Sequence, residues 1–166
     1  MNTDSAIASN NARSPQAAPR AVVTLLWILT LLFTVRVLGQ AVQRWWPQSF
    51  LPSFNAFQGS GLPYPLLLIA QLVILALMVR AALRVGAGTL SPSQGQRRFL
   101  IGFGILYMAG SVTRIVIGLA VPASPHWFTA GIPAFFHLVL ASFVITLALH
   151  ARNPVPDSAR DSGART

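Results

Sequence analysis

Of the 166 residues in the chain, 54% are hydrophobic and 9% are charged, against roughly 25% charged in an ordinary soluble domain. The length fits one domain, and the composition makes lipid rather than water its main solvent. All twelve basic residues are arginine and the formal net charge is +9. These arginines flank apolar runs instead of lining a polar face, which excludes nucleic acid as the expected partner.

Residues 1–20 are rich in Ser, Asn, Ala and Pro, and residues 152–166 read alike, so both are expected to be disordered cytoplasmic tails. Between them, residues 21–151 carry four apolar stretches near 21–42, 63–85, 99–121 and 131–151. Each is close to the ~20 residues with which a helix crosses the hydrocarbon. Backbone groups in lipid must satisfy one another, and a helix does so within one segment. The expected fold is therefore an all-α integral membrane protein, a four-transmembrane-helix bundle. The first stretch exceeds the apolar core of about 7–15 residues in a signal peptide, and Val37-Leu38-Gly39-Gln40-Ala41 is a poor cleavage site, so retention is expected.

Arginine placement sets the expected orientation, because cytoplasmic flanks accumulate basic residues. Arg13 and Arg20 precede the first stretch, Arg80, Arg84, Arg97 and Arg98 surround the connection after the second, and Arg152, Arg160 and Arg165 follow the last. Only Arg44 falls in the other set of connections. The expected location is the cell membrane, multi-pass, with both termini cytoplasmic. The outer connections carry Trp45, Trp46, Phe50, Phe54, Phe57, His126, Trp127 and Phe128, rings that favour the headgroup layer and are expected to lie along it.

A weak internal repeat joins Val35-Arg36-Val37-Leu38-Gly39-Gln40-Ala41-Val42 with residues 113–121, each followed by an aromatic connection and a Pro-initiated stretch. It points to two tandem helical hairpins of the same orientation.

One conspicuous polar residue lies in each stretch: Arg36, Gln71, Arg114 and His137. Counted from the outer end of its stretch, each lies about 9–10 Å deep at ~1.5 Å per residue, so the four form one expected layer. Arg36, Gly39, Gln40 and Gln43 share one helical stripe, and Tyr107, Gly110, Ser111, Arg114 and Gly118 share another. Small and polar residues on one face mark the side that packs on other helices, which turns both arginines inward. Gly102, Gly104, Gly110 and Gly118 make the third stretch the expected close-packing helix.

An arginine stays charged in the membrane. The only acidic residues, Asp4, Asp157 and Asp161, lie in the tails. Counter-charge must come from a lipid phosphate reached by snorkelling, from an anionic ligand, or from a carboxylate on a membrane-protein partner; a homo-oligomer is a separate expected assembly. Two arginines with Gln71 and His137 make a donor-rich pocket for an anionic lipid or a quinone oxygen. The leading expectation is a non-enzymatic protein that binds an anionic or quinone-like amphiphile in its outer half. A structural or assembly subunit of a membrane complex is the alternative.

A haem-containing electron-transfer subunit is a third reading, in which only His126 and His137 could pair without spanning the bilayer. Without Cys or an acid in the apolar body there is no thiolate or dicarboxylate metal site, no carboxylate proton relay and no Ser-His-Asp set. Gly59-Ser60-Gly61 reads as a turn rather than a hydrolase elbow. Neither a catalytic residue nor a metal ligand is expected.

Overall fold

A computed structural model describes residues 18–58, 61–121 and 131–150. Residues 1–17 of the first expected tail, the whole of the second, Gly59 and Ser60, and the connection holding His126, Trp127 and Phe128 lie outside the described residues; Ala18 packs against the core and Arg20, expected in the tail, already opens the first helix.

The chain is all-helical, with α1 at Arg20–Trp45, a single turn α2 at Phe54–Phe57, α3 at Tyr64–Gly86, α4 at Gln94–Ala120 and α5 at Gly131–His150. The helices α1, α3, α4 and α5 are each long and apolar enough to cross a bilayer.

Local chemistry sets the helix ends. Pro63 and Pro65 bracket the start of α3, where proline's missing N–H loses no intrahelical bond. At its far end Gly88 takes φ +66°, and the N–H groups of Ala87, Gly88 and Thr89 return to carbonyls of the last turn. Only glycine adopts that backbone without strain. A reciprocal capping box then opens α4: Ser93 Oγ accepts from the Gln96 N–H while Gln96 Oε1 accepts from the Ser93 N–H. Polar capping, not hydrophobicity, thus starts α4 at Gln94, ahead of the apolar run expected from Phe99, and carries Arg97 and Arg98 into its first turns.

The helices pack in the order α3, α1, α5, α4, with α3 touching α5 over a short stretch. The apolar core joins Val22, Leu26, Leu29, Phe33 and Val37 of α1 with Met78, Ala82 and Val85 of α3 and Val139 and Phe143 of α5. It fills the end of the bundle nearer Arg20 and Gly86. Helix α4 adds no side chain to that buried cluster; its own buried residues are Gly104, Ser111 and Arg114. It is held to α5 by close approach and polar contact, the packing mode of helices in lipid, where leucine gains little by leaving its surroundings.

The point of closest approach is Gly104. A Cβ there would lie 2.6 Å from Ile145 Cγ1, whereas at Gly102 and Gly110 it would meet nothing within 4 Å. One of these three expected small-residue positions therefore makes a helix contact. Because Cγ1 sits near the root of a stiff β-branched side chain, Ile145 cannot swing clear. Gly104→Ala is expected to destabilise the bundle by about 1–3 kcal/mol, measured by thermal unfolding in detergent. Gly102→Ala should be neutral or slightly stabilising, since only helix propensity changes.

Candidate functional site

Above the apolar core, toward the end where α1 finishes and α3 begins, polar side chains fill the interior. Helical spacing puts Arg36, Gln40 and Arg44 on one stripe of α1, and the first two face into the bundle. Arg36 is 8% exposed and Gln40 is fully buried. From α3, Gln71 points to the same place and donates through Nε2 to Gln40 Oε1 at 3.0 Å. That same oxygen accepts from Arg36 Nη1 at 3.3 Å, so Gln40 is the hub that ties Arg36 to Gln71.

The second arm of Arg36 reaches across the connection between α1 and α3. Its Nη2 donates to the Phe57 carbonyl at 3.2 Å, the last residue of α2, while its guanidinium stands 5.7 Å from the Phe136 ring centroid of α5. The Phe57 ring itself is buried and packs where Gly39 leaves room, 3.5 Å from the position of a Cβ. The aromatic connection is thus tucked into the bundle at α2 rather than lying wholly along its end, because a charged donor draws the backbone carbonyl inward. Arg36 is turned into the bundle, not outward to snorkel. Arg36 Nε, Gln40 Nε2, Gln71 Oε1 and the Tyr64 hydroxyl remain buried without a hydrogen-bond partner among the described residues.

On the other side of α5, Arg114 and His137 share a cleft of about 280 Å³ with Phe103, Leu106, Tyr107, Gly110 and Ser111. Arg114 is 4% exposed, and the Tyr107 and His137 ring centroids are 5.3 Å apart. Ser111 donates its hydroxyl hydrogen back to the Tyr107 carbonyl at 2.8 Å, so that hydrogen is used within α4. Leu106 and Phe103 are exposed at the rim, and Gly110 leaves the wall open. The cleft therefore opens sideways between α4 and α5.

The four residues singled out from sequence occupy one tier but two compartments. Arg36 and Gln71 belong to the closed one between α1, α2 and α3, and Arg114 and His137 to the lateral cleft. Successive residues of α5 divide them, with Phe136 facing Arg36 and His137 facing Tyr107. The division is not electrostatic insulation, since Tyr107 and His137 are each within Coulombic reach of both arginines. His126, the other half of the haem pairing, lies outside the described residues. The roles of Gln40, Phe57 and Tyr64 were missed by sequence reasoning. For Gln40 the four-residue step from Arg36 was the available signal; for Phe57 none was, because its part is played by a backbone carbonyl.

No protein-family profile, no curated protein and no solved structure matches the chain.

Removing the Arg36 donor should free α2 before it loosens the bundle. A charge-assisted bond contributes about 1.5–3 kcal/mol, and leucine fills the vacated space without a buried charge. Arg36→Leu is expected to raise amide hydrogen exchange at residues 54–58 by about tenfold or more, with exchange in the middle of α1 little changed. Equal protection of residues 54–58 in both proteins would contradict the bond.

Proposed function

We propose that the chain is a multi-pass membrane protein, with both termini cytoplasmic, that binds an anionic or quinone-like amphiphile between α4 and α5. The cleft carries this reading: a buried cation and a histidine close one end of a space whose remaining walls, apart from the Tyr107 and Ser111 hydroxyls, are apolar and open to the side. A volume of 280 Å³ is just below the usual range of roughly 300–1,000 Å³ for small-molecule pockets, so it suits a head group rather than a whole lipid.

The rest of the ligand has a surface to follow. Phe99, Phe103 and Tyr107 stand one helical turn apart on α4, their rings stacked at centroid distances of 6.1 and 5.7 Å. The two rings farther from Arg114, Phe99 and Phe103, are exposed. A chain laid along them would place its polar end against Arg114, Tyr107 and His137. In this arrangement Arg114 is the charge partner and His137 and Tyr107 are hydrogen-bonding selectors. Arg36 adds field from across α5, and Gln71 holds Arg36 in place through Gln40.

Orientation is supported by arginines that helix electrostatics would not choose. Arg20 at the start of α1, and Arg97 and Arg98 in the first turns of α4, are cations at the positive ends of helix dipoles. Their placement serves topology instead, since basic residues mark the cytoplasmic flank. Arg97 also ties that end of the bundle together by donating to the Ala148 carbonyl at 3.0 Å, in the last turn of α5.

Native mass spectrometry of protein extracted from its own membrane in mild detergent tests the binding reading. The expected result is a discrete added mass in the wild-type protein, with occupancy in Arg114→Leu reduced about tenfold or more, as loss of a charge-assisted contact implies. Equal occupancy in the two proteins would overturn the site.

A further inference from the structure

We propose a second site, separate from the cleft, that takes a phosphate-type oxyanion in the vestibule between the end of α1, α2 and the start of α3. The vestibule has a volume of about 420 Å³ and is lined by Gln43, Arg44, Phe54, Gln58 and Tyr64. It shares no lining residue with the cleft of Arg114 and His137.

The walls hold a cation in place without consuming its hydrogen bonds. Arg44 lies with its guanidinium carbon 5.9 Å from the Phe54 ring centroid. Phe54 is in turn braced edge-on by Tyr64 at 5.3 Å, and Tyr64 by Trp45 at 5.7 Å. An arginine resting on a ring keeps its N–H edge free, and that planar fork matches two oxygens of a phosphate. Among the described residues nothing accepts a hydrogen bond from Arg44.

Gln43 and Tyr64 offer donors beside Arg44. Gln43 Oε1 is already occupied by the Gln48 N–H at 2.9 Å, which leaves its NH2 group available. Gln58 is pinned by its donation to the Leu62 carbonyl at 3.0 Å. Tyr64 is more than nine-tenths buried, and its hydroxyl has no hydrogen-bond partner among the described residues. No carboxylate occurs among the described residues to compete for Arg44. Below the vestibule Arg36 contributes a second positive charge, and Tyr64 is within Coulombic reach of both arginines. The site is a positively charged, aromatic-walled pocket at the mouth of the bundle, filled by the headgroup phosphate of a lipid or by free phosphate.

The test uses the full chain in a neutral detergent, with thermal unfolding as the readout. Inorganic phosphate is titrated against chloride at equal ionic strength, and phosphatidylglycerol is titrated separately in mixed micelles. A saturable rise in midpoint with phosphate assigns a soluble anion; a rise with phosphatidylglycerol alone assigns a lipid headgroup. In either case Arg44→Gln, at an exposed position, is expected to weaken the response about tenfold or more. Tyr64→Phe should weaken it less; with phosphatidylglycerol both comparisons are made in an Arg114→Leu background, where the cleft has lost its charge partner and the Arg44-dependent response is expected to persist. Absence of both responses overturns the proposal, as does an Arg44→Gln protein that responds like wild type or a response that vanishes in Arg114→Leu.

Discussion

The arrangement depends on one buried guanidinium. Arg36 cannot shed its charge, and burial away from water makes every unanswered N–H costly. Its position is tolerable because the bundle surrounds it with dipoles: a glutamine oxygen one turn along α1, the terminal carbonyl of α2, and the face of Phe136. Each of these partners fixes a different piece of chain. Through Gln40 the arginine is tied to Gln71 on α3, through Phe57 to the connection that joins α1 to α3, and through Phe136 to α5. A single charge thereby sets the register of three helices and folds the α1–α3 connection inward. The apolar core below is held by close packing alone, without a directional contact of this kind.

Helix α4 follows a different rule, and the cleft is the result. It brings no side chain to the apolar core, and it meets α5 through a glycine contact at Gly104 and the polar side chains Ser111 and Arg114. A helix packed almost entirely on α5 leaves its other faces open. Large exposed residues such as Phe99, Phe103 and Leu106 would be a liability in water. In the proposed membrane setting they are the ordinary lipid-facing surface, interrupted where Tyr107, Arg114 and His137 come together. The Arg114 half of the polar tier is thus reached from the side through the α4–α5 cleft, whereas the vestibule at Arg44 is lined by none of Arg36, Gln40 and Gln71.

Much of this was legible in sequence because lipid imposes simple rules. Helix class and number follow from stretch length and hydropathy, and the inward turn of Arg36 and Arg114 follows from the small and polar residues sharing their stripes. What could not be read were features set by contacts distant in sequence. The split of Arg36 and Gln71 from Arg114 and His137 arises from the packing order of the helices, which puts α5 between the two groups. The tucked α2 depends on a backbone carbonyl, to which side-chain identity is nearly blind. The early start of α4 was hidden in a polar segment, where Ser93 and Gln96 cap one another while hydropathy falls silent. Among the glycines, Gly104 packs and Gly102 does not, because two residues of separation, little more than half a helical turn, put them on nearly opposite faces.

The central claim is that these helices cross a bilayer, with the polar tier toward the outside and the arginine-rich end in the cytoplasm. The absence of cysteine makes substituted-cysteine labelling in intact cells the most direct measurement. Ser53→Cys, beside α2, is predicted to react with a membrane-impermeant maleimide, and Ser91→Cys, between α3 and α4, to react only after the membrane is opened. Labelling of Ser91→Cys in sealed cells, with Ser53→Cys protected, would invert the account; immediate labelling of both would contradict a membrane-spanning bundle.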